Sequence, residues 1–426
     1  MAKVLIVGSG AREHAIAVAF QRDTAVEEVF VSPGNDGIAQ FFSCFKYEAK
    51  DKNEPFVEIV NFVKEKKIDY VFVGNEQALA DGIADYLEAH GIDVIGPSQK
   101  AAQIESSKVF SKNLMKKYGV PTADYAVCED YVAALRHIAG QSFPLVLKAD
   151  GLAAGKGVII AQDKQEAIAA LDLIFLDKKF GNAGNQVIIE SFLRGEEASI
   201  FAFSDGEHFV STVFSQDHKA LYDNDEGPNT GGMGAFAPVD KFFMLKDKVD
   251  KVIFEPIFQG LKNEGMPFKG VLYAGLMIDG EDINVVEFNC RLGDPEAEVI
   301  LPIMTNSLAE LCQAIIEKSI DLCELKFSGQ YAVGVISASK GYPEAFERGK
   351  PIFIHKGIET LAGQIYFAGV KQQGENLFTN GGRVLCATAL GSSLQEAIDK
   401  AYSMTECVQF SNQYYRKDIG QKGLKG

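Results

Sequence analysis

The chain has 426 residues, 47% of them hydrophobic and 23% charged, enough for two to four domains each with its own core. Its 42 basic and 58 acidic residues leave a formal net charge of −16, which excludes general nucleic-acid binding and requires any anionic substrate to be gripped by local cations. Seven scattered cysteines without a CxxC pair, and no apolar run of transmembrane length, predict reduced thiols, a cytoplasmic location and no membrane association.

Residues 1 to about 102 alternate strands and helices, the pattern of a doubly wound parallel sheet in an α/β protein. Val4 to Val7 is a strand, too short for a signal segment, and Gly8-Ser9-Gly10 turns into a helix at Ala11. A second strand covers Val29 to Val31 and ends in Ser32-Pro33-Gly34-Asn35. A helix over 55–66, a third strand over 70–73, a helix after Ala78 and a fourth strand ending at Val94-Ile95 complete the unit. Ligands in such sheets sit at the carboxyl ends of strands, where Gly8, Pro33, Gly34, Asn75 and Glu76 fall. Gly8 and Gly10 do not complete a dinucleotide fingerprint. Glu13 stands where the third glycine is needed, and Ser32-Pro33 replaces the ribose-binding acid. A small phosphate at the helix N-terminus, helped by Arg12, is the better use of the loop. His14 reads as a helix-packing residue.

Residues 103–120 read as helical, with Ser106-Ser107-Lys108 near the start. A small α+β unit follows over 121–190. Its strand Phe143 to Asp150 carries Lys148 and runs through Gly151-Leu152-Ala153-Ala154-Gly155-Lys156-Gly157 into Val158-Ile159-Ile160. Three residues separate Gly151 from Gly155, Gly157 stands where a hydroxyl residue is required, and a strand follows. This is therefore no Walker loop but a glycine-rich hairpin able to close over a polyphosphate. A strand ends at Glu190, and further strands fill 191–328.

Within that region lies Val285-Val286-Glu287-Phe288-Asn289-Cys290-Arg291-Leu292-Gly293-Asp294-Pro295-Glu296. Glu287 and Asn289 are two apart, so on a strand they share a face and offer hard oxygen ligands of the kind Mg²⁺ takes. Arg291 extends that face with a cation for phosphate or carboxylate. An edge strand with a solvated polar face would carry the same alternation. From about 329 a third βα pattern forms a small C-terminal α+β domain.

The order Lys108, Lys148 before a glycine hairpin, Glu190 and Glu197 around a hinge, then Glu-x-Asn on a strand resembles the ATP-grasp ligases. Longer segments resemble the glycinamide ribonucleotide synthetases (phosphoribosylamine–glycine ligases) among them. These are Gly8 to Ala15, Pro33-Gly34-Asn35, Lys148 to Gly157, Ser215 to Lys219, Gly227 to Ala235, Glu287 to Glu296, Thr379 to Val384 and Arg416 to Gly420, which together span essentially the whole chain. The resemblance implies a ligase of purine biosynthesis that phosphorylates glycine with ATP. It then transfers the glycyl group to 5-phosphoribosylamine, giving glycinamide ribonucleotide, ADP and phosphate.

By resemblance, Lys108, Lys148, Gly155, Lys156 and Gly157 hold ATP phosphates, the hairpin acting as a mobile lid; Lys156 reads equally as lid surface. Glu190 and Leu193 face adenine, and Glu197 the ribose hydroxyls. Glu287 and Asn289 bind Mg²⁺ or Mn²⁺, and Arg291 with Lys148 and Asp294 forms the catalytic set. Gly8, Gly10, Arg12, Gly34, Asn35 and Glu76 bind the ribose phosphate. Asp217, His218, Lys219, Asn229, Thr230, Gly231, Gly232, Gly293, Asp294 and Pro295 line the acceptor side, His218 as a hydrogen-bond donor or a general base. Arg383 either closes over the site or bridges domains. A monomer or weak dimer is expected. Ala11, Asn75, Ala78 and Leu292 depart from the family's usual residues, which puts substrate affinity but not the chemistry in question. A carboxylase relative, a nicotinamide oxidoreductase and an inactive nucleotide-binding regulator are the competing readings.

Overall fold

A computed structural model describes residues 1–47, 54–152, 157–355, 358 and 361–425, and all elements and counts are those of the described residues. The N-terminal sheet has five parallel strands in the order Ser43–Cys44, Val26–Pro33, Ala2–Gly8, Tyr70–Val73, Asp93–Ile95. Val4 to Val7 and Tyr70 to Val73 are wholly buried, as apolar runs covered by helices on both faces should be. Ser43–Cys44 was not expected, because two residues cannot display a period. The chain leaves the first strand to one side and later returns on the other. The carboxyl ends of the three central strands therefore open a crevice at the reversal.

Glu13 fills part of that crevice. Its carboxylate accepts a hydrogen bond of 2.6 Å from the Gly10 N–H. A Cβ on Gly8, where φ is +147°, or on Gly74 would lie 2.4 Å from the Glu13 side chain. The residue in the third-glycine position thus takes a loop donor that a pyrophosphate would need, which is a physical reason to set the dinucleotide reading aside.

The expected helix at 103–120 is two. Ser107 has extended backbone, accepts a hydrogen bond from the Phe110 N–H at 3.1 Å, and so ends Gln103–Ser106 and caps Lys108–Tyr118. Two antiparallel sheets of four strands follow. One runs Tyr125–Cys128, Val187–Ser191, Leu145–Ala149, Val158–Ala161. It has its own core, including Cys128, Ala134, Ile138, Leu147, Leu171 and Ile189, separate from the main core. The other runs Phe209–Ser211, Glu196–Asp205, Lys269–Asp279, Asp282–Asn289.

The C-terminal strands Tyr331–Ala338, Arg383–Gly391 and Gly363–Phe367 form an antiparallel sheet under the helix Leu394–Glu406. That sheet also takes in Gln216–Asp217 and Gly234–Ala237. A boundary near 329 therefore divides the chain but not the sheet. Because Gly234–Ala237 pairs with Tyr331–Ala338, the preceding Gly231-Gly232 loop is held against the C-terminal domain. Among the described residues no helix is long and apolar enough to cross a membrane.

Candidate active site

The two antiparallel sheets face each other across a cluster of cations. Lys148 Nζ lies 3.0 Å from Glu190 Oε1 and donates to the Val286 carbonyl of the opposite sheet at 3.1 Å. Lys108 Nζ donates to the Gly151 carbonyl at 2.7 Å, at the mouth of the glycine hairpin. Burial lowers the Lys108 pKa, with Glu287 opposing. The Ala149 N–H to Gly157 carbonyl bond of 2.9 Å closes the hairpin, while Gly155 and Lys156 lie outside the described residues.

Sequence reasoning missed Lys112. Its ammonium lies 3.0 Å from Glu190 Oε2 and donates to Thr122 Oγ1 at 2.7 Å, and burial pushes its pKa down to about 8 against the pull of Glu190. The signal was present, since Lys112 is four residues from Lys108 and shares its helix face. Glu190 thus sits between two lysines at the hinge. Leu193 is half-buried just beyond.

Val285 and Phe288 are three apart, yet both enter the same core. A bulge at Val286 allows this, because the register shifts where Gly275 faces Glu287 and Leu276 faces Val285. The bulge leaves Glu287 and Asn289 together on the other face, half-buried. Burial alone would raise the Glu287 carboxyl, but Lys219, Lys148, Lys108 and Arg291 together hold it below its ordinary range. Among the described residues neither Glu287 nor Asn289 has a side-chain hydrogen bond or ion pair. An ionised carboxylate and an amide oxygen with nothing to bind fit a hard divalent cation.

Arg291 lies past the strand end and does not continue its face. Its guanidinium pairs with Glu105 Oε1 at 2.8 Å and Glu76 Oε2 at 3.4 Å. Glu105 also accepts from the Cys290 N–H at 2.7 Å. Nothing in the sequence spacing announced Glu105, which is 186 residues away from Arg291.

Asp217, His218 and Lys219 do not face one way. Lys219 pairs with Glu197, and its pKa is driven well up, with Glu197, Tyr273, Asp217 and Glu287 outweighing burial. Asp217 Oδ1 has no hydrogen-bond partner among the described residues. Burial, with Glu296, Glu197 and Glu287 nearby, raises its pKa well above the ordinary value. His218 points to the other side, among Lys422, Arg416, Asp418 and Asp225, and burial lowers its pKa to about 3. The expected donor or base role for His218 is corrected accordingly, since alternation along the short strand turns the ring away from its two neighbours. Glu296, accepting from Ser199 Oγ at 3.0 Å, joins the acidic wall beside Asp217 and was not anticipated.

At the far end the N-terminal loops meet the C-terminal domain. A Cβ on Gly10 would stand 3.3 Å from Asp294 Oδ2. Arg383 Nη2 pairs with Asp294 Oδ1 at 3.0 Å, and its Nη1 donates to the Asp294 carbonyl at 3.0 Å and to the Gly231 carbonyl. A Cβ on Gly232, where φ is +106°, would lie 2.4 Å from Pro295 Cδ, so that position requires glycine, while one on Gly293 would lie 2.2 Å from Glu296 Oε2. Thr230 Oγ1 donates to the Lys219 carbonyl at 2.8 Å and accepts from the Gly232 N–H, while Asn229 is exposed.

Arg12 is not free for phosphate. It bonds Glu13 Oε1 at 2.6 Å, Glu76 Oε2 at 3.2 Å and the Leu292 carbonyl at 3.3 Å. Gly34 donates to the Gly8 carbonyl at 3.0 Å, and Asn35 Nδ2 to Ser9 O and Phe367 O at 2.8 and 3.0 Å. His14 is a packing residue: its Nδ1 accepts from the Phe367 N–H at 2.9 Å among four aromatic rings. Asn75, one of the departures, caps the helix Glu76–Ala80 by accepting from the Ala78 N–H at 2.9 Å, so the loop keeps a defined shape.

This arrangement agrees with what the chain is similar to. The family descriptions for the N domain, ATP-grasp (A) domain and C domain of phosphoribosylglycinamide synthetase match residues 2–105, 106–297 and 332–422. A phosphoribosylamine–glycine ligase of Halalkalibacterium halodurans is 43% identical, covering 99% of this chain and 97% of its own length. The chain spans about half, 55%, of a bifunctional purine biosynthetic protein of Dictyostelium discoideum to which it is 42% identical. Among solved structures, the phosphoribosylamine–glycine ligase of Thermotoga maritima superposes with a TM-score of 0.83 at 35% identity, covering 98% of this chain and 99% of that one. A biotin carboxylase domain of Hydrogenobacter thermophilus, at 15% identity and a TM-score of 0.72 over 97% of this chain and 91% of its own, shares the fold alone. With three family domains matched in order over most of its length, the chain belongs to the phosphoribosylglycinamide synthetase family of ATP-grasp ligases.

Proposed function

We propose that this protein joins glycine to 5-phosphoribosylamine at the expense of ATP, through glycyl phosphate. The observation that carries the reading is the meeting of Lys108, Lys148 and Lys219 around an ionised, unpartnered Glu287 between two sheets. Such a site suits a polyphosphate, and it lies beside a buried acidic wall suited to an ammonium group.

Lys108, Lys148 and the hairpin 151–157, including Gly155, Lys156 and Gly157, would hold the ATP phosphates, with Glu190 and Leu193 at the adenine and Glu197 at the ribose. Glu287 and Asn289 would hold Mg²⁺ or Mn²⁺, which when bound supplies charge neutralisation to the phosphates. The glycine ammonium would be drawn to Asp217, whose carboxylate lacks a partner and whose charge burial disfavours. That leaves the glycine carboxylate directed at the γ-phosphate. Its oxygen bonds to phosphorus as the bond to the β-bridging oxygen breaks, giving glycyl phosphate and ADP. Arg291, fixed by Glu105 and Glu76, offers a stationary cation to the transferring group. The amine of phosphoribosylamine, entering past Gly10 and Asp294, then attacks the acyl carbon. Phosphate leaves with the electron pair, and the amine nitrogen loses its proton. Burial between the sheets keeps water from the acyl phosphate.

The intermediate can be trapped. With ATP, glycine and hydroxylamine but no phosphoribosylamine, the protein should form glycine hydroxamate and ADP. ATP turnover without hydroxamate, or hydroxamate formed equally from formate or bicarbonate, would overturn the glycyl phosphate scheme.

A further inference from the structure

The segment Arg416 to Gly420 stands out in the sequence but has no place in the chemistry above. Arg416 is nevertheless fully buried, which an arginine tolerates only when it is well paired. Its guanidinium grips Asp418 as a fork, Nε donating to Oδ1 at 2.8 Å and Nη2 to Oδ2 at 2.7 Å. That leaves Nη1 for a distant partner, the hairpin of Ala220–Tyr222 and Glu226–Asn229. Nη1 donates to the Ala220 carbonyl at 3.0 Å and to Asp225 Oδ1 at 3.1 Å. The segment is itself anchored to the helix Leu394–Glu406, where Tyr402 Oη accepts from the Ile419 N–H at 2.9 Å and donates to the Arg416 carbonyl at 2.8 Å.

The hairpin needs that grip. Its turn places two successive residues with side chains in the left-handed region, Asn224 at φ +60° and Asp225 at φ +58°. Such residues keep that conformation where their surroundings over-determine it. Here the C-terminal segment does so. Asp418 Oδ2 accepts from the Asn224 N–H at 2.9 Å, Lys422 Nζ pairs with Asp225 Oδ2 at 2.6 Å, and Asp223 Oδ1 accepts from the Lys417 N–H at 2.8 Å. At its base the hairpin joins the site. Thr230 donates to the Lys219 carbonyl twice, from its N–H at 2.7 Å and its Oγ1 at 2.8 Å. Lys219 in turn pairs with Glu197 and faces Glu287. Asp217 is held separately, by the pairing of its own strand with Ala235, so the hairpin bears on Lys219 rather than on the acidic wall.

We propose that residues 416–422 form a positioning element for the nucleotide site, with Arg416 and Asp225 acting through the hairpin 220–229 on Lys219. The proposal rests on the reading of Lys219 as part of the cation cluster that receives ATP. It makes the C-terminal domain a determinant of nucleotide affinity without touching the nucleotide.

The test uses Asp225→Asn and Arg416→Lys in the full chain, each checked by thermal unfolding. Asparagine tolerates left-handed φ, so the first variant removes the charge and keeps the turn; Asp225 is 44% exposed, and the fold should hold. The second cannot reach Asp418, Asp225 and the Ala220 carbonyl together. Calorimetry should show each variant binding Mg²⁺-ATP about tenfold more weakly than the wild-type protein, the scale of one charge-assisted contact. Lys219→Met should weaken binding as well, and adding Asp225→Asn to it should change the affinity no further, because the hairpin then has no ammonium left to place. A merely structural role would instead give additive losses. Wild-type affinity in a folded Asp225→Asn protein, or additive losses in the double variant, overturns the positioning role while leaving the ligase reading intact. The expected pattern in a protein that forms no glycine hydroxamate supports the positioning role and overturns the ligase reading instead.

Discussion

Arg383→Ala is the perturbation for which the structure offers the fullest arithmetic. The guanidinium leaves the C-terminal strand Arg383–Gly391 and reaches two loops of the ligase core. It binds the Asp294 carbonyl at 3.0 Å, the Gly232 carbonyl at 3.4 Å and the Gly231 carbonyl, and pairs with the Asp294 carboxylate at 3.0 Å. Breaking a fully buried pair costs about 3–5 kcal/mol. Arg383 and Asp294 keep 20% and 14% side-chain exposure, so a discounted loss of about 2–4 kcal/mol is expected. A second term has the same sign. Glu298 is fully buried with neither carboxylate oxygen partnered among the described residues; burial and then Asp294 push its pKa well up, and Arg383 opposes them. Removing Arg383 leaves two acids facing each other. Loosening the loops that place Asp294 and Gly231-Gly232 should lower kcat/KM for glycinamide ribonucleotide formation about a hundredfold, the usual cost of a displacement near 1 Å. ATP affinity should be unchanged, because Arg383 does not touch the lysine cluster. Arg383→Lys should recover little, since one ammonium cannot span both loops. The assay is steady-state kinetics with each substrate varied, beside thermal unfolding. A folded Arg383→Ala protein with wild-type kcat/KM, or full rescue by lysine, would refute the bridging role.

Glu287→Gln removes the charge that four cations sustain, and kcat/KM should fall at least about a hundredfold; wild-type turnover would remove the metal assignment. Lys112→Met takes away one of the two lysines on Glu190, so Lys148 is held more tightly there. KM for ATP should rise about tenfold and stability fall by about 3 kcal/mol, with an unchanged KM counting against the triad. His218 has a folded pKa near 3 against an ordinary 6.5, so the unfolded chain takes up its proton first as pH falls. Stability from this residue is complete above pH 6.5 and is lost towards pH 3, amounting to about 2–3 kcal/mol at pH 4.5. His218→Phe should flatten the unfolding free energy between pH 6.5 and 4.5; an unchanged slope would mean that the ring is not held neutral.

The parts legible in the sequence were those that repeat a local rule. Buried apolar runs gave the central N-terminal strands, and flanking strands gave the glycine hairpin. The two-residue spacing of Glu287 and Asn289 gave a shared face that survives the Val286 bulge. What stayed hidden depends on distant partners. Whether Arg12 and Arg291 are free cations is decided by Glu13, Glu76 and Glu105, and only the first of these adjoins its partner in sequence. The sheet joining Gln216–Asp217 and Gly234–Ala237 to strands after 330 uses segments too short to show a period. For the same reason the direction of His218 could not be read from a loop motif, whereas a residue four positions from Lys108 on a helix could have been. Arg383 left two roles open because its partners lie 89 and 152 residues away.

The measurement that bears most directly on the account is ADP release with ATP, a divalent metal, glycine and phosphoribosylamine generated in situ, omitting each in turn. The account predicts sustained ADP formation only when all are present, with one glycinamide ribonucleotide per ADP. ADP formed at the same rate without glycine, or in excess over glycinamide ribonucleotide with all substrates saturating, would contradict it.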